Sequence, residues 1–410
     1  MNHANSGDRY LRSLGLRPAR DSVELAAQLQ QAVGKAQAEQ ALSALHRRQR
    51  QQASGQLDRQ ATADFYARKN QHPQASLILS AAHDWDLLCQ TCRWITQHPD
   101  AFGETILDVG CDCGLLSCFL AQTFPASTIT SVDRDANGIR VAQTLAKRLG
   151  LTNITFLCTD LENLPLRTFD TVFSSRTVQE NYDALQENAR FLPLTHQGRI
   201  CAQVFQRYTR LLCRFLKPGG HLATVERMER DRVFLGYCLA LHQQGLDLIP
   251  ESHHELRCRE GDHTTALQAF YGVKEGRTTA TDAEDFFIAT FQDALTWQPR
   301  HLDVEGELIL ELCAQELIQG HFLHNTQGAR VGKLAIYTSK FDSEELFYYQ
   351  GILGQPVQVH RLSRGELADV IALLEADLTT LTSNALTAHP FVFQDGVELL
   401  LPSEENGTVF

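Results

Sequence analysis

The spacing of apolar positions along the chain changes several times, and each change marks a different kind of element. Up to about Lys69 the period is helical: Leu25, Leu29 and Val33, then Leu42 and Leu45, recur every three or four residues in a polar, Gln- and Ala-rich background. Such spacing gives each helix one modest apolar stripe. Two further helical stretches are expected between Pro73 and Pro99. Beyond them the pattern shortens into compact, β-branched runs at Ile106–Val109, Thr128–Asp133, Ile154–Asp160, Phe169–Ser174 and His221–Glu226. Helical segments, Ala136–Leu149 and Ile200–Leu216 among them, separate these runs. Strands alternating with helices predict an α/β architecture, an open, mostly parallel sheet with helices on both faces. A helix over Asp231–Gln244 then leads to two more strand-like stretches, Gly245–Ile249 and Ala266–Lys274. From Gly276 the character is mixed: Glu307–Leu312, Lys333–Thr338, Leu346–Tyr349, Val357–Leu362 and Phe391–Leu401 are strand-like, and Glu366–Leu381 is an amphipathic helix. The pattern divides the chain into a helical extension (1–70), the α/β region (71–275) and an α+β C-terminal region (276–410).

Composition narrows this picture only a little. A chain of 410 residues with 43% hydrophobic content buries a full core. No apolar run reaches the roughly 20 residues that span a bilayer, and Met1–Arg12 lacks the apolar centre of a signal peptide, so the expectation is a cytoplasmic protein without a membrane partner. Eleven scattered cysteines argue for free thiols rather than a disulfide scaffold. The net charge of −12 works against a broad nucleic-acid footprint. His46–Arg50 is a basic cluster, expected to be a solvated helix face. The Cys89/Cys92 pair has no second C-x-x-C to complete a zinc site, and His253, His254, Cys258 and His263 lack matched spacing. The latter group is expected to be a polar surface loop, and no metal is expected.

The chemistry concentrates at Leu107-Asp108-Val109-Gly110-Cys111-Asp112-Cys113-Gly114, a strand, a tight turn and a helix start. Gly110 and Gly114 permit the sharp turn and a close approach to a ligand. Asp112 is placed to cap the helix that carries Leu115, Leu116, Phe119 and Leu120. In open parallel sheets, ligands sit beyond the carboxyl ends of the strands. Asp108, Asp133, Asp160 and Ser174 all fall at or near such ends, so four polar groups converge on one crevice. Asp133, 19 residues beyond Gly114, suits a vicinal diol, because an ionised carboxylate only accepts hydrogen bonds and can take two.

The turn, together with Asp133, Asp160, Phe169-Asp170 and Leu216-Lys217-Pro218-Gly219-Gly220, resembles the ordered motifs of class I S-adenosylmethionine-dependent methyltransferases. The resemblance spans residues 75–275 and implies a Rossmann-like fold with seven strands, the last one antiparallel. It implies S-adenosylmethionine as cofactor. The methionine part would lie on the turn at Asp108, Gly110, Cys111, Asp112 and Gly114. The ribose would lie on Asp133 beside Arg134, and the adenine on Asp160 and Leu161, with Ser174 at the edge of the site. Where the family usually has glycine, this chain has Asp112. A carboxylate there opposes a pyrophosphate, whereas the methyl donor carries a sulfonium and an ammonium instead. Transfer from a sulfonium needs in-line geometry, and a base only when the acceptor must lose a proton. Glu180, Tyr182 and His196 are the candidate catalytic residues, with Glu226 a further group able to orient or deprotonate a substrate. The acceptor expected is a small molecule, peptide or protein, with nucleic acid disfavoured. The C-terminal region is expected to bind substrate, to bind a partner or to form a homodimer. A cofactor-binding scaffold without catalysis and a dinucleotide oxidoreductase are the alternatives.

Overall fold

The computed structural model describes residues 6–53, 59–180, 194–229, 232–260, 263–274, 280–290, 314–339, 342–353, 358–383, 385–394 and 397–400. Contacts divide the chain into two units, Met1–Gln186 with Ile200–Thr290, and Glu187–Arg199 with Phe291–Phe410. Among the described residues no helix is long and apolar enough to cross a membrane.

The first unit is built on β1 (Thr105–Val109), β2 (Thr128–Asp133), β3 (Ile154–Cys158), β4 (Phe169–Ser175) and β5 (Leu216–Arg227). With β6 (Leu246–Leu248), β7 (His254–Glu260) and β8 (His263–Lys274) they form a sheet ordered β3-β2-β1-β4-β5-β8-β6, with β7 paired to β8. The first five strands pair in parallel, and β8 runs antiparallel to β5, β6 and β7. The order turns back at β1, between β2 and β4, and this places the crevice at the β1 tip. The expected loop with His253 and Cys258 is instead largely the strand β7. Cys258 is buried there because the strand backs onto the core, and the His253 ring is hydrogen-bonded to Gln268. Pro218-Gly219-Gly220 was expected to precede the fifth strand and lies inside it, since β5 starts at Leu216. Asp170 accepts from the Thr105 backbone N–H and hydroxyl and from Lys217 Nζ, fastening β4 to the starts of β1 and β5.

Ahead of the sheet come α1 (Ser6–Ser13), α2 (Ser22–Val33), α3 (Lys35–Ala53), α4 (Arg59–Lys69), α5 (Pro73–His83) and α6 (Trp85–Gln97). The helical stripes of the extension find partners: Leu25, Leu29, Ala38, Ala41 and Leu45 pack with Ala75, Leu79 and Ala82 of α5. The Asp21 carboxylate caps α2 by accepting from the Glu24 N–H at 2.8 Å. Tyr10 of α1 donates its hydroxyl to the Leu115 carbonyl at 2.7 Å, so the extension is tied directly to the helix after the glycine turn. That helix, α7 (Leu115–Thr123), is followed by α8 (Ala136–Arg148), α9 (Leu194–Cys213), α10 (Arg232–His242) and α11 (Ala280–Ala289).

The second unit holds an antiparallel sheet ordered β12-β11-β10-β9-β13-β14. Its strands are β9 (Ala314–His324), β10 (Arg330–Ser339), β11 (Glu345–Ile352), β12 (Gln358–Ser363), β13 (Thr387–Gln394) and β14 (Val397–Leu400). Val370 and Leu374 of α12 (Leu367–Thr382) pack onto Leu323, Leu334, Ile336 and Tyr348. The expected stretch Glu307–Leu312 lies outside the described residues.

Candidate active site

The glycine turn runs from β1 to α7. Gly110 has φ +73°, and a side chain there would meet Thr177 Cγ2 at 2.6 Å. Gly114, at φ +79°, is itself the residue capping α7. Asp112 therefore does not cap this helix, contrary to expectation. It sits in the left-handed region at φ +46°, where an L-residue costs about 1–2 kcal/mol. This conformation explains why glycine suits the position.

The Asp112 carboxylate is engaged from the N-terminal helices instead. Lys69, the last residue of α4, makes an ion pair with it, and Asn70 Nδ2 donates to its Oδ1 at 2.8 Å. Asn70 also donates to Asp135 at 2.7 Å, bridging the turn to the cap of α8. Burial opposes ionisation of Asp112, yet the Lys69 charge and these hydrogen bonds bring its pKa below the usual carboxylate range.

A cavity of about 620 Å³ opens beyond the β1 and β2 tips. Of the residues expected to hold the cofactor, Gly110, Asp112, Asp133, Arg134, Asp160 and Leu161 line it. Asp108, Cys111, Gly114 and Ser174 are buried away from the lining. Asp108 accepts from the Ser117 hydroxyl, and burial raises its pKa to about 6. Asp133 accepts from two backbone N–H groups, those of Asp112 and Asp135, each at 2.8 Å. Burial, set against those hydrogen bonds and with Asp112 and Asp135 adding repulsion, lifts its pKa to about 6. Capping of α8 falls to Asp135, which leaves Asp133 available to the cavity. Asp160 is exposed on the rim, and its side chain makes no capping hydrogen bond to the short turn that follows.

Several wall residues carried no separable signal in the sequence. Ala63, Tyr66 and Ala67 of α4 cover the cavity, and Arg207, Tyr208 and Leu211 of α9 close another side. Tyr66 stands beside Phe65, with their rings edge to face, and lines the cavity. A hydroxyl chain starts in this wall, where Tyr208 and Thr177 both line the cavity, and runs inward. Tyr208 donates to Thr177 at 2.7 Å, Thr177 lies 2.6 Å from Ser174 Oγ, and Ser174 donates to Glu226 at 2.7 Å. Glu226 is fully buried, and desolvation raises its pKa to about 7 against the hydrogen bonds from Ser174 and the Val178 N–H. Among the catalytic candidates, Glu180 ends a short turn after β4 and His196 lies in α9. The side chains of both, and all of Tyr182, lie outside the described residues. Among the described residues no cluster of three or more His, Cys, Asp or Glu is arranged to hold a metal, and all ten cysteines are free.

Residues 101–257 match a family model described as a methyltransferase domain. Malonyl-[acyl-carrier protein] O-methyltransferase of Bacillus cereus is 35% identical over 101 residues, covering 25% of this chain and 32% of that protein. Ribosomal RNA small subunit methyltransferase G of Chlorobium limicola is 37% identical over 125 residues, 30% of this chain and 46% of that one. The chain thus spans about a third to a half of the length of these two relatives. The solved structure of magnesium protoporphyrin IX methyltransferase from Synechocystis PCC 6803 aligns with a TM-score of 0.32 and 17% identity, over 45% of this chain and 76% of that one. The sheet order, the glycine turn with its acidic partner on β2 and the sequence match converge: residues 101–257 are a methyltransferase domain of the class I S-adenosylmethionine-dependent family.

Proposed function

We propose that the protein transfers a methyl group from S-adenosylmethionine to an acceptor bound beside the β1 and β4 tips. The observation that carries this is Asp133. A carboxylate offers about four lone-pair positions. Two of them are taken by the Asp112 and Asp135 N–H groups, so two remain for a vicinal diol on the cavity side. The cavity volume falls in the range of about 300–1,000 Å³ usual for small-molecule sites. The cofactor supplies a methyl group already activated by the sulfonium. Asp133 would hold the ribose and Asp160 and Leu161 the adenine, while Gly110 admits the chain at the turn.

What the protein must add is position and dryness. Tyr66 and Ala67 of α4 roof the cavity and keep water out. Where the acceptor must lose a proton, Tyr208 at the wall can take it and pass its own to Thr177. Thr177 passes its own proton to Ser174, and Ser174 its own to Glu226, whose pKa near neutrality suits it to receive it. The acceptor we favour is a small molecule or peptide, since α4 encloses the site. Ribosomal RNA methyltransferases stand among the relatives, so the net charge of −12 does not by itself exclude a nucleic acid.

Titration calorimetry with S-adenosylhomocysteine tests this. The wild-type protein should bind it, and Asp133→Asn should weaken binding roughly 100-fold, the loss expected from about 3 kcal/mol of charge-assisted hydrogen bonding. Equal affinity in a folded Asp133→Asn protein refutes the ribose assignment. Absence of binding to the wild type refutes the cofactor assignment.

A further inference from the structure

Glu226 has no exposed surface, yet a single residue joins it to the glycine turn. A side chain at Gly110 would meet Thr177 Cγ2 at 2.6 Å, and the Thr177 hydroxyl lies 3.5 Å from Glu226 Oε1. The buried carboxyl group is therefore one threonine away from the place assigned to the methionine end of the cofactor. When Glu226 is ionised, the hydrogens of the chain have one consistent direction. A carboxylate only accepts, so Ser174 gives it the one hydrogen it has, Thr177 gives its own to Ser174, and Tyr208 gives its own to Thr177. Toward the cavity the Tyr208 oxygen then acts only as an acceptor, which suits a nucleophile that still carries its proton. A neutral Glu226 has a hydrogen to give, and the chain can run the other way.

Charged and titratable groups reach Glu226 from several elements. Arg176, after β4, favours the ionised form. Tyr208 of α9 faces it through Thr177, and Tyr237 of α10 lies close with its hydroxyl on Thr224. On β8 the residue opposite is the neutral Gln268, bound to the His253 ring, and Arg227 follows Glu226 in β5. Burial outweighs the favourable contacts and leaves Glu226 titrating at about 7, where one further charge decides its state. A positive charge within about 10 Å, at an effective protein dielectric of about 20, moves a pKa by about one unit.

We infer that Glu226 reads the charge of the cofactor: it releases its proton when S-adenosylmethionine occupies the cavity and takes one up when only S-adenosylhomocysteine is left. This goes beyond the methyltransferase reading and rests on it. As the bond from the methyl carbon to the acceptor forms, its bond to sulfur breaks and the electron pair stays on sulfur. The acceptor's proton passes to Tyr208, and each hydroxyl hands its own inward until Glu226 is neutral. A cation and a buried carboxylate are thereby replaced by a neutral thioether and a neutral carboxyl group, so the interior is left with no uncompensated charge. The base is ready only while the methyl donor is bound.

The test is titration calorimetry of the full-length protein with each ligand at pH 7, in two buffers of different ionisation enthalpy, which counts the protons exchanged. Subtracting the result for Glu226→Gln removes protons exchanged by the ligands themselves and by other carboxyl groups. With S-adenosylmethionine the difference should be a release of about 0.4 proton, the yield of a one-unit fall from about 7, and with S-adenosylhomocysteine it should be near zero. Across pH the release should peak between about 6 and 7. Ser174→Ala removes a hydrogen bond to the ionised form and should move that peak to higher pH, which keeps the test decisive if Glu226→Gln does not fold. Equal proton exchange with S-adenosylmethionine in wild type and folded Glu226→Gln, equal release with both ligands, or an unmoved peak in Ser174→Ala overturns the inference and leaves the methyltransferase reading standing. Failure of the wild type to bind either ligand removes the cofactor assignment, and the inference with it.

Discussion

The Lys69–Asp112 pair offers the sharpest test of how the N-terminal helices support the site. Lys69 has a side chain only 7% exposed, and Asp112 26%, so neither charge is well solvated once its partner is gone. Replacing Lys69 by Met leaves the Asp112 carboxylate with hydrogen bonds from Asn70 and the Cys113 N–H but no counter-charge, while its own N–H stays bound to the carboxylate of Asp133. Removing one member of a buried pair costs about 3–5 kcal/mol, and the partial exposure of Asp112 puts the expected loss at the lower end, about 3 kcal/mol. Asp112→Gly strands Lys69 in the same way but relieves the left-handed backbone at φ +46°, which returns about 1–2 kcal/mol, so its net loss should be roughly 1.5 kcal/mol. The double variant strands neither charge and keeps the backbone relief.

Its loss should therefore be only about 1 kcal/mol, far short of the roughly 4.5 kcal/mol expected by addition, with a coupling of roughly 3.5 kcal/mol. Urea unfolding followed by tryptophan fluorescence measures this, because Trp85 and Trp94 both lie in the unit that carries the pair. Thermal melting gives the same ranking, with the Lys69→Met protein lowered by roughly 6–10 °C. Additive losses in the double variant would show that the two side chains do not stabilise one another, and with that the account of how aspartate is tolerated at a glycine position fails.

Two further outcomes follow from the geometry. Glu226 is buried with its pKa raised from 4.5 to about 7, so the folded protein holds that proton more tightly than the unfolded chain does. Its contribution is fully present below about pH 4.5 and is lost as pH rises through 7, and Glu226→Gln should gain on wild type by about 3 kcal/mol between pH 4.5 and pH 8. Urea midpoints at the two ends of that range check this, and a difference independent of pH counts against it. Tyr10→Phe removes a buried hydrogen bond to the Leu115 carbonyl while keeping the ring against Phe119. The expected loss is about 1–2 kcal/mol, read as a lower urea midpoint, since the carbonyl is left without this donor.

Much of the methyltransferase core was legible because its signals are local. The apolar run Ile106–Val109 followed by Gly110 and Gly114 encodes strand, turn and helix within a dozen residues, and both glycines have positive φ as that geometry requires. The alternation from β1 to β5 is equally local, and the parallel order follows from it with few alternatives. Strand β9 escaped notice because Ala314–His324 mixes Gln, Glu and Gly with its apolar residues, and its place is settled by pairing with β10 and β13 on either side. Helix α7 was expected to be capped by Asp112 because aspartate is a good cap. The ion pair with Lys69 and the left-handed backbone at Asp112 overrode that propensity.

The sequence by itself determined which residue types stand at the strand tips and therefore which chemistry the crevice can hold. Only the tertiary structure decided which of them face it. Asp108 and Asp133 look alike in the chain, yet one is buried against Ser117 and the other opens onto the cavity. In the same way Arg48 was indistinguishable from its exposed neighbours until α3 and α4 packed, and Ser174 from a site residue until Glu226 claimed its hydroxyl. The physical reason is range. Backbone conformation responds to neighbours a few residues away, whereas the partner of a charged or hydroxyl side chain is set by segments that meet only after the core has formed.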